Sequence, residues 1–80
     1  MRYVALFYSH FGAIRFHGLC QKAGWSARMG PVPRALSSSC GTCVRYEGER
    51  PCPVPTMPEE VEGIFEEEEE GYRKVFARED

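Results

Sequence analysis

The sequence predicts an α+β fold of the ferredoxin-like kind, βαββαβ, with a four-stranded antiparallel sheet and two helices on one face. Three observations predict it. An unbroken apolar run opens the chain, apolar residues recur at helical spacing in two later segments, and alternating or β-branched stretches separate and follow those segments.

Arg2 to Ser9, RYVALFYS, is mostly apolar with aromatic and β-branched residues and no breaker, which suits a buried strand. Ser9 is a fitting cap for a helix over His10 to Ala23. Phe11, Ile14 and Leu19, and less regularly Phe16 and Cys20, give that helix an apolar face, and Gly24 sits where a C-terminal cap belongs. Trp25 to Val32 alternates as an extended strand ending at Pro31 and Pro33. Arg34 to Gly41 is turn-like, and Thr42 to Tyr46 is β-prone again. Gly48 to Pro58 carries four prolines and reads as a loop. Glu59 to Glu70 places Val61, Ile64 and Phe65 on one side and glutamates elsewhere, an amphipathic helix ended by Gly71; Tyr72 to Arg78 closes as a strand.

The chain of 80 residues fits a single small domain over residues 1–80, near the lower limit for folding without help. With 42% hydrophobic and 28% charged residues it can build a compact core. The net charge of −2 offers no bulk attraction for nucleic acid. The apolar run from Tyr3 to Tyr8 is too short for a signal peptide, and no window spans a bilayer, so a cytoplasmic protein without membrane contact is expected. In that compartment four cysteines serve chemistry or metal more readily than a disulfide framework.

The chemistry concentrates between Pro31 and Tyr46, PVPRALSSSCGTCVRY. Cys40 and Cys43 have the CxxC spacing, which suits disulfide exchange, metal ligation, or a carrier thiol with a resolving partner. Arg34 and Arg45 flank the pair, Ser37, Ser38 and Ser39 add hydroxyls, and Gly41 lets the backbone approach a bound group; such residues suit a thiolate, a persulfide or a small oxyanion. A thioredoxin-type site needs a helix after the pair, whereas Val44, Arg45 and Tyr46 favour a strand. An all-cysteine zinc site needs a second pair, and Cys20 and Cys52 stand alone, so no metal site is assigned. Cys52-Pro53-Val54-Pro55 resembles the sulfur-carrier motif of the TusA family, although there the motif follows the first strand; prolines punctuating a loop explain it more simply. His10 and His17, seven apart, lie on one helical face without an acidic partner between them.

Taken together, the RYVALFYS strand, the opening SHFGAIR and the segment PVPRALSSSCG resemble the DUF3343 family of selenium/sulfur carrier-like proteins, in order and over nearly the whole chain. The resemblance falls on Pro33-Arg34 and Ser38-Ser39-Cys40-Gly41, and it implies that Cys40 is the principal residue, with Cys43 less clearly part of the shared pattern. The function expected is therefore a carrier, more than an enzyme, bearing a persulfide or perselenide on Cys40 with Cys43 as a resolving thiol. Arg34, Ser38, Ser39 and Gly41 would hold the anionic terminal atom. The expected partner is a cysteine desulfurase or another sulfur/selenium-transfer protein, and no cofactor is expected. Two alternatives stand beside it: a metal-binding or redox-sensing adaptor using the CxxC pair, and a small thiol-disulfide oxidoreductase. An edge strand of the sheet would allow a homodimer.

Overall fold

β1 (Arg2–Phe7) is the middle of the molecule, and its sequence says why. Val4, Ala5 and Phe7 are fully buried, with Tyr3 and Leu6 nearly so, because both faces of this strand are covered. In the computed structural model, which describes residues 1–78, the chain continues as α1 (His10–Lys22), β2 (Ala27–Pro31), β3 (Thr42–Glu47), β4 (Val61–Glu68) and β5 (Gly71–Ala77). The strands form one sheet in the order β2-β3-β1-β4-β5, with every neighbouring pair antiparallel. β1, α1 and β2 make a crossover that passes β3, and α1 lies across one face of the sheet.

The ends of α1 follow its sequence. Ser9 Oγ accepts from the Gly12 N–H at 3.2 Å, and at the other end Gly24, at φ +80°, donates to Gln21 O while Trp25 donates to Cys20 O. Replacing the cap, Ser9→Ala, is expected to lower stability by about 1 kcal/mol, read from the denaturant midpoint. The buried face differs from the expected one. Phe11 and Ile14 are 67% and 51% exposed, and Gly12, Ala13, Phe16 and Cys20 face the sheet instead. The glycine is the reason: a Cβ at Gly12 would lie 2.4 Å from Glu60 Cβ, so its absence lets this side of the helix seat against the chain leading into β4.

The expected second helix is absent among the described residues, which corrects the ferredoxin-like, four-stranded, two-helix prediction: one helix packs on five strands, and the fold is mostly β. Glu59 to Glu70 instead contains β4. Phe7 pairs with Val61 but Leu6 pairs with Gly63, so a bulge adds one residue to β4. Val61 and Ile64 therefore share the helix-side face although they stand three apart, a spacing that imitates a helix. Glu69 and Glu70 form the turn into β5, and Gly71, at φ +146°, opens that strand rather than ending a helix. Arg73 crosses the hairpin to Glu66 and Glu68, and Arg45 reaches Glu67 at 3.6 Å, which relieves the carboxylate repulsion that a strand of glutamates would otherwise carry.

Two apolar clusters sandwich β1 and β3. On the helix side, Tyr3, Ala5, Phe7, Phe16, Cys20, Val44, Tyr46, Val61 and Ile64 pack together. On the other side Val4, Leu6 and Cys43 are covered by Val32, Leu36, Phe65 and Tyr72. The connection from β3 to β4 is the proline-rich segment, held over the aromatic end of the first cluster. Gly48 lies on Trp25, where a Cβ would come within 2.6 Å of the indole; Arg50 stands 5.3 Å above the same ring, and Tyr46 OH donates to Pro51 O.

Candidate functional site

β2 and β3 are joined by the serine-rich segment. The last strand pair is Pro31 with Thr42, and the Val32 N–H closes the loop onto Gly41 O at 3.3 Å. Gly41 has φ +75°, a backbone state that a side chain would strain, so the glycine next to Cys40 is required by the return of the chain. The loop is pinned at three places. Leu36 packs onto the cluster on the helix-free face, Ser38 Oγ donates to Phe7 O at 3.0 Å, and the Ser39 N–H and hydroxyl donate to the two carboxylate oxygens of Glu62 at 3.1 and 3.0 Å. Such anchoring removes conformational freedom before any ligand arrives.

Cys40 is half-buried in this frame. Its thiol donates to Thr42 O at 3.4 Å and lies 3.9 Å from Ser38 Oγ, and it packs against the helix-side cluster. His10 Nδ1 is 3.2 Å from Thr42 Oγ1, so the first residue of α1 is tied to the residue whose carbonyl receives the Cys40 thiol. Sequence reasoning passed over Thr42 and Glu62, and it weighed His10 only as a pair with His17, which the structure separates: His10 meets Thr42 and His17 meets Ala27. The one available signal was the place of His10 directly after the helix cap.

The other predicted residues are placed less centrally. Ser39 points to Glu62, and Arg34 is exposed at the outer turn of the loop, with no hydrogen bond or ion pair among the described residues. Arg45 is exposed and faces Glu67. Cys43 is fully buried, on the face of the sheet opposite α1, and its thiol donates to Pro31 O at 3.4 Å. Burial pushes its pKa up, with Arg45 opposing the shift and Cys40 adding to it. The CxxC pair is thus divided between the two clusters. The physical reason is where the strand begins: Cys43 lies in β3, whose alternation turns it to the face opposite α1, while Cys40 stays in the turn before Gly41 and packs on the helix side.

A second group of thiols lies elsewhere. Cys20 is fully buried in α1, and burial, followed by the nearby Cys52, pushes it up to about 12; Cys52 is half-buried against the same cluster. All four cysteines are free thiols. His17 Nε2 is engaged with Ala27 O at 3.2 Å, a tie between α1 and β2. Among the described residues no three His, Cys, Asp or Glu side chains converge as a metal site, and no helix is long and apolar enough to cross a membrane.

The family model described as "Putative Se/S carrier protein-like" matches residues 2–77. No curated protein and no solved structure matches the chain.

Proposed function

Because the chain belongs to that Se/S carrier protein-like family, we propose that Cys40 is the atom-bearing residue, receiving sulfane sulfur or selenium as a persulfide or perselenide. The observation that carries this reading is the setting of Cys40: a partly exposed thiol, in a loop fixed by three anchors, with the Ser38 hydroxyl 3.9 Å from its sulfur. A carrier thiol must reach a partner's sulfur and still be held in one geometry, and the loop meets both demands.

In the loading step the Cys40 thiolate attacks the terminal sulfur of a donor persulfide. A new S–S bond forms on Cys40, the donor S–S bond breaks, and the donor leaves as its thiolate. Sulfur is transferred without net oxidation. The donor class is a cysteine desulfurase or another sulfur/selenium-transfer protein. In unloading, an acceptor thiolate attacks the outer atom and Cys40 departs as thiolate. Cys43 can serve as resolving thiol only if the Pro31–Thr42 end of the hairpin opens, since its sulfur faces the other side of the sheet. Ser38 is the hydroxyl nearest the loaded sulfur, and it donates to that anion only by turning its single proton away from Phe7 O, whereas Arg34 would have to swing in from the exposed turn.

Incubation with a desulfurase and cysteine, followed by mass spectrometry of the intact chain, tests the proposal. Wild type and Cys43→Ser are expected to gain one sulfur that a reductant removes, and Cys40→Ser to gain none. No gain in either of the first two, or an equal gain in the third, sinks the assignment of Cys40.

A further inference from the structure

The proline-rich segment packs Cys52 against the same apolar cluster that buries Cys20 near the C-terminal end of α1, and no part of the carrier reading uses these two cysteines. Tyr46 is the pivot. Its ring meets Phe16 edge-on at 5.2 Å and Trp25 face-on at 6.0 Å, and its hydroxyl donates to the carbonyl of Pro51. Cys20 lies one helical turn beyond Phe16 and directly accepts the Trp25 N–H at its carbonyl, 2.9 Å away. Cys52 directly follows Pro51. Gly48 on the Trp25 ring and Arg50 above it draw the intervening chain down onto this end of the helix. Both cysteines pack in the same helix-side cluster, Cys20 without exposure and Cys52 with part of its surface open.

We propose that Cys20 and Cys52 form a disulfide-competent pair, a modification site that ties the β3–β4 connection to α1 and responds to small-molecule disulfides such as oxidised glutathione. The unequal exposure sets the order of events. The Cys52 thiolate attacks one sulfur of the small disulfide, forming a mixed disulfide and expelling one small thiolate. The Cys20 thiolate then attacks Cys52 Sγ, forming the internal disulfide and expelling the second small thiolate. Two protein thiols are oxidised, the small disulfide is reduced to two thiols, and the two protons released are taken up by the leaving groups. The burial that keeps Cys20 protonated at neutral pH agrees with its role as the second, slower thiol.

The site stands apart from Cys40, so its test does not depend on the carrier reading. Folded wild type and Cys40→Ser are treated with oxidised glutathione, quenched by alkylation, digested and mapped by mass spectrometry. The expected product is a peptide joining Cys20 to Cys52, about 2 Da lighter than the sum of the reduced peptides. Cys20→Ala is expected to accumulate the glutathione adduct on Cys52 instead, and Cys52→Ser to leave Cys20 unmodified until the chain is unfolded. A Cys52 adduct that persists in wild type without the joined peptide overturns the proposal, as does a joined peptide found only in denatured protein.

Discussion

Phe16→Ala is expected to remove about 3 to 5 kcal/mol of folding stability, the range for emptying a fully buried phenylalanine site. Phe16 has no exposed surface and its ring lies 5.4 Å from that of Phe7 and 5.2 Å from that of Tyr46, so it joins α1 to β1 and β3 at once. An 80-residue chain has in total roughly 4 to 12 kcal/mol. The substitution therefore consumes a large part of the margin. Equilibrium unfolding in urea would show the midpoint falling steeply with the slope unchanged, and Phe16→Leu would fall less. A loss below about 1 kcal/mol for the alanine variant would contradict the packing of α1 through this ring.

Alkaline pH is the second large lever. Cys20 is pushed from the ordinary thiol value of 9.0 up to about 12, and Cys43, Tyr3 and Tyr46 are raised in the same direction, each chiefly by burial. Below pH 9 both folded and unfolded chains keep the Cys20 proton, and its contribution does not vary. Between 9 and about 12 the unfolded chain releases that proton while the folded chain holds it, so stability falls as pH rises. Three pKa units correspond to a loss of up to about 4 kcal/mol from this thiol alone. Urea midpoints of the reduced protein should drop between pH 8 and 11, and Cys20→Ala should flatten the drop. A midpoint independent of pH over that interval would mean that the thiol is not sealed in the core.

Much of the first two thirds of the chain was legible because local and tertiary signals agree there. The apolar run of β1, the Ser9 cap, the Gly24 stop and the strand after Cys43 all appear where composition and capping place them. Residues 59–70 misled for a specific reason. Glutamate favours helices, and the bulge at Val61–Gly63 set the apolar residues three apart, so both propensity and spacing pointed away from the strand that tertiary pairing enforces. One partner of β4, Tyr3 to Phe7, lies about sixty positions earlier, beyond any local window, while the other, β5, follows directly across the Glu69–Glu70 turn.

The site divides in the same way. Cys40 in a glycine-closed turn beside serines could be read from the sequence. The relation of Cys40 to Cys43 could not, because CxxC gathers two sulfurs in a helix or tight turn and separates them once a strand begins at Thr42. The roles of Glu62 and His10 likewise depend on contacts 23 and 32 positions away along the chain.

The central place of β1 has a consequence for how the chain is made. β1 leaves the ribosome ahead of both its neighbours in the sheet, β3 and β4, which are synthesised dozens of residues later. Until Glu47 has emerged β1 has no partner on one side, and until Glu68 has emerged it has none on the other. β1 therefore waits, apolar and incompletely paired, until β4 has been made, which favours late, all-at-once folding and exposes truncated chains to aggregation. Every C-terminal truncation before β4 leaves the middle of the sheet as an open edge.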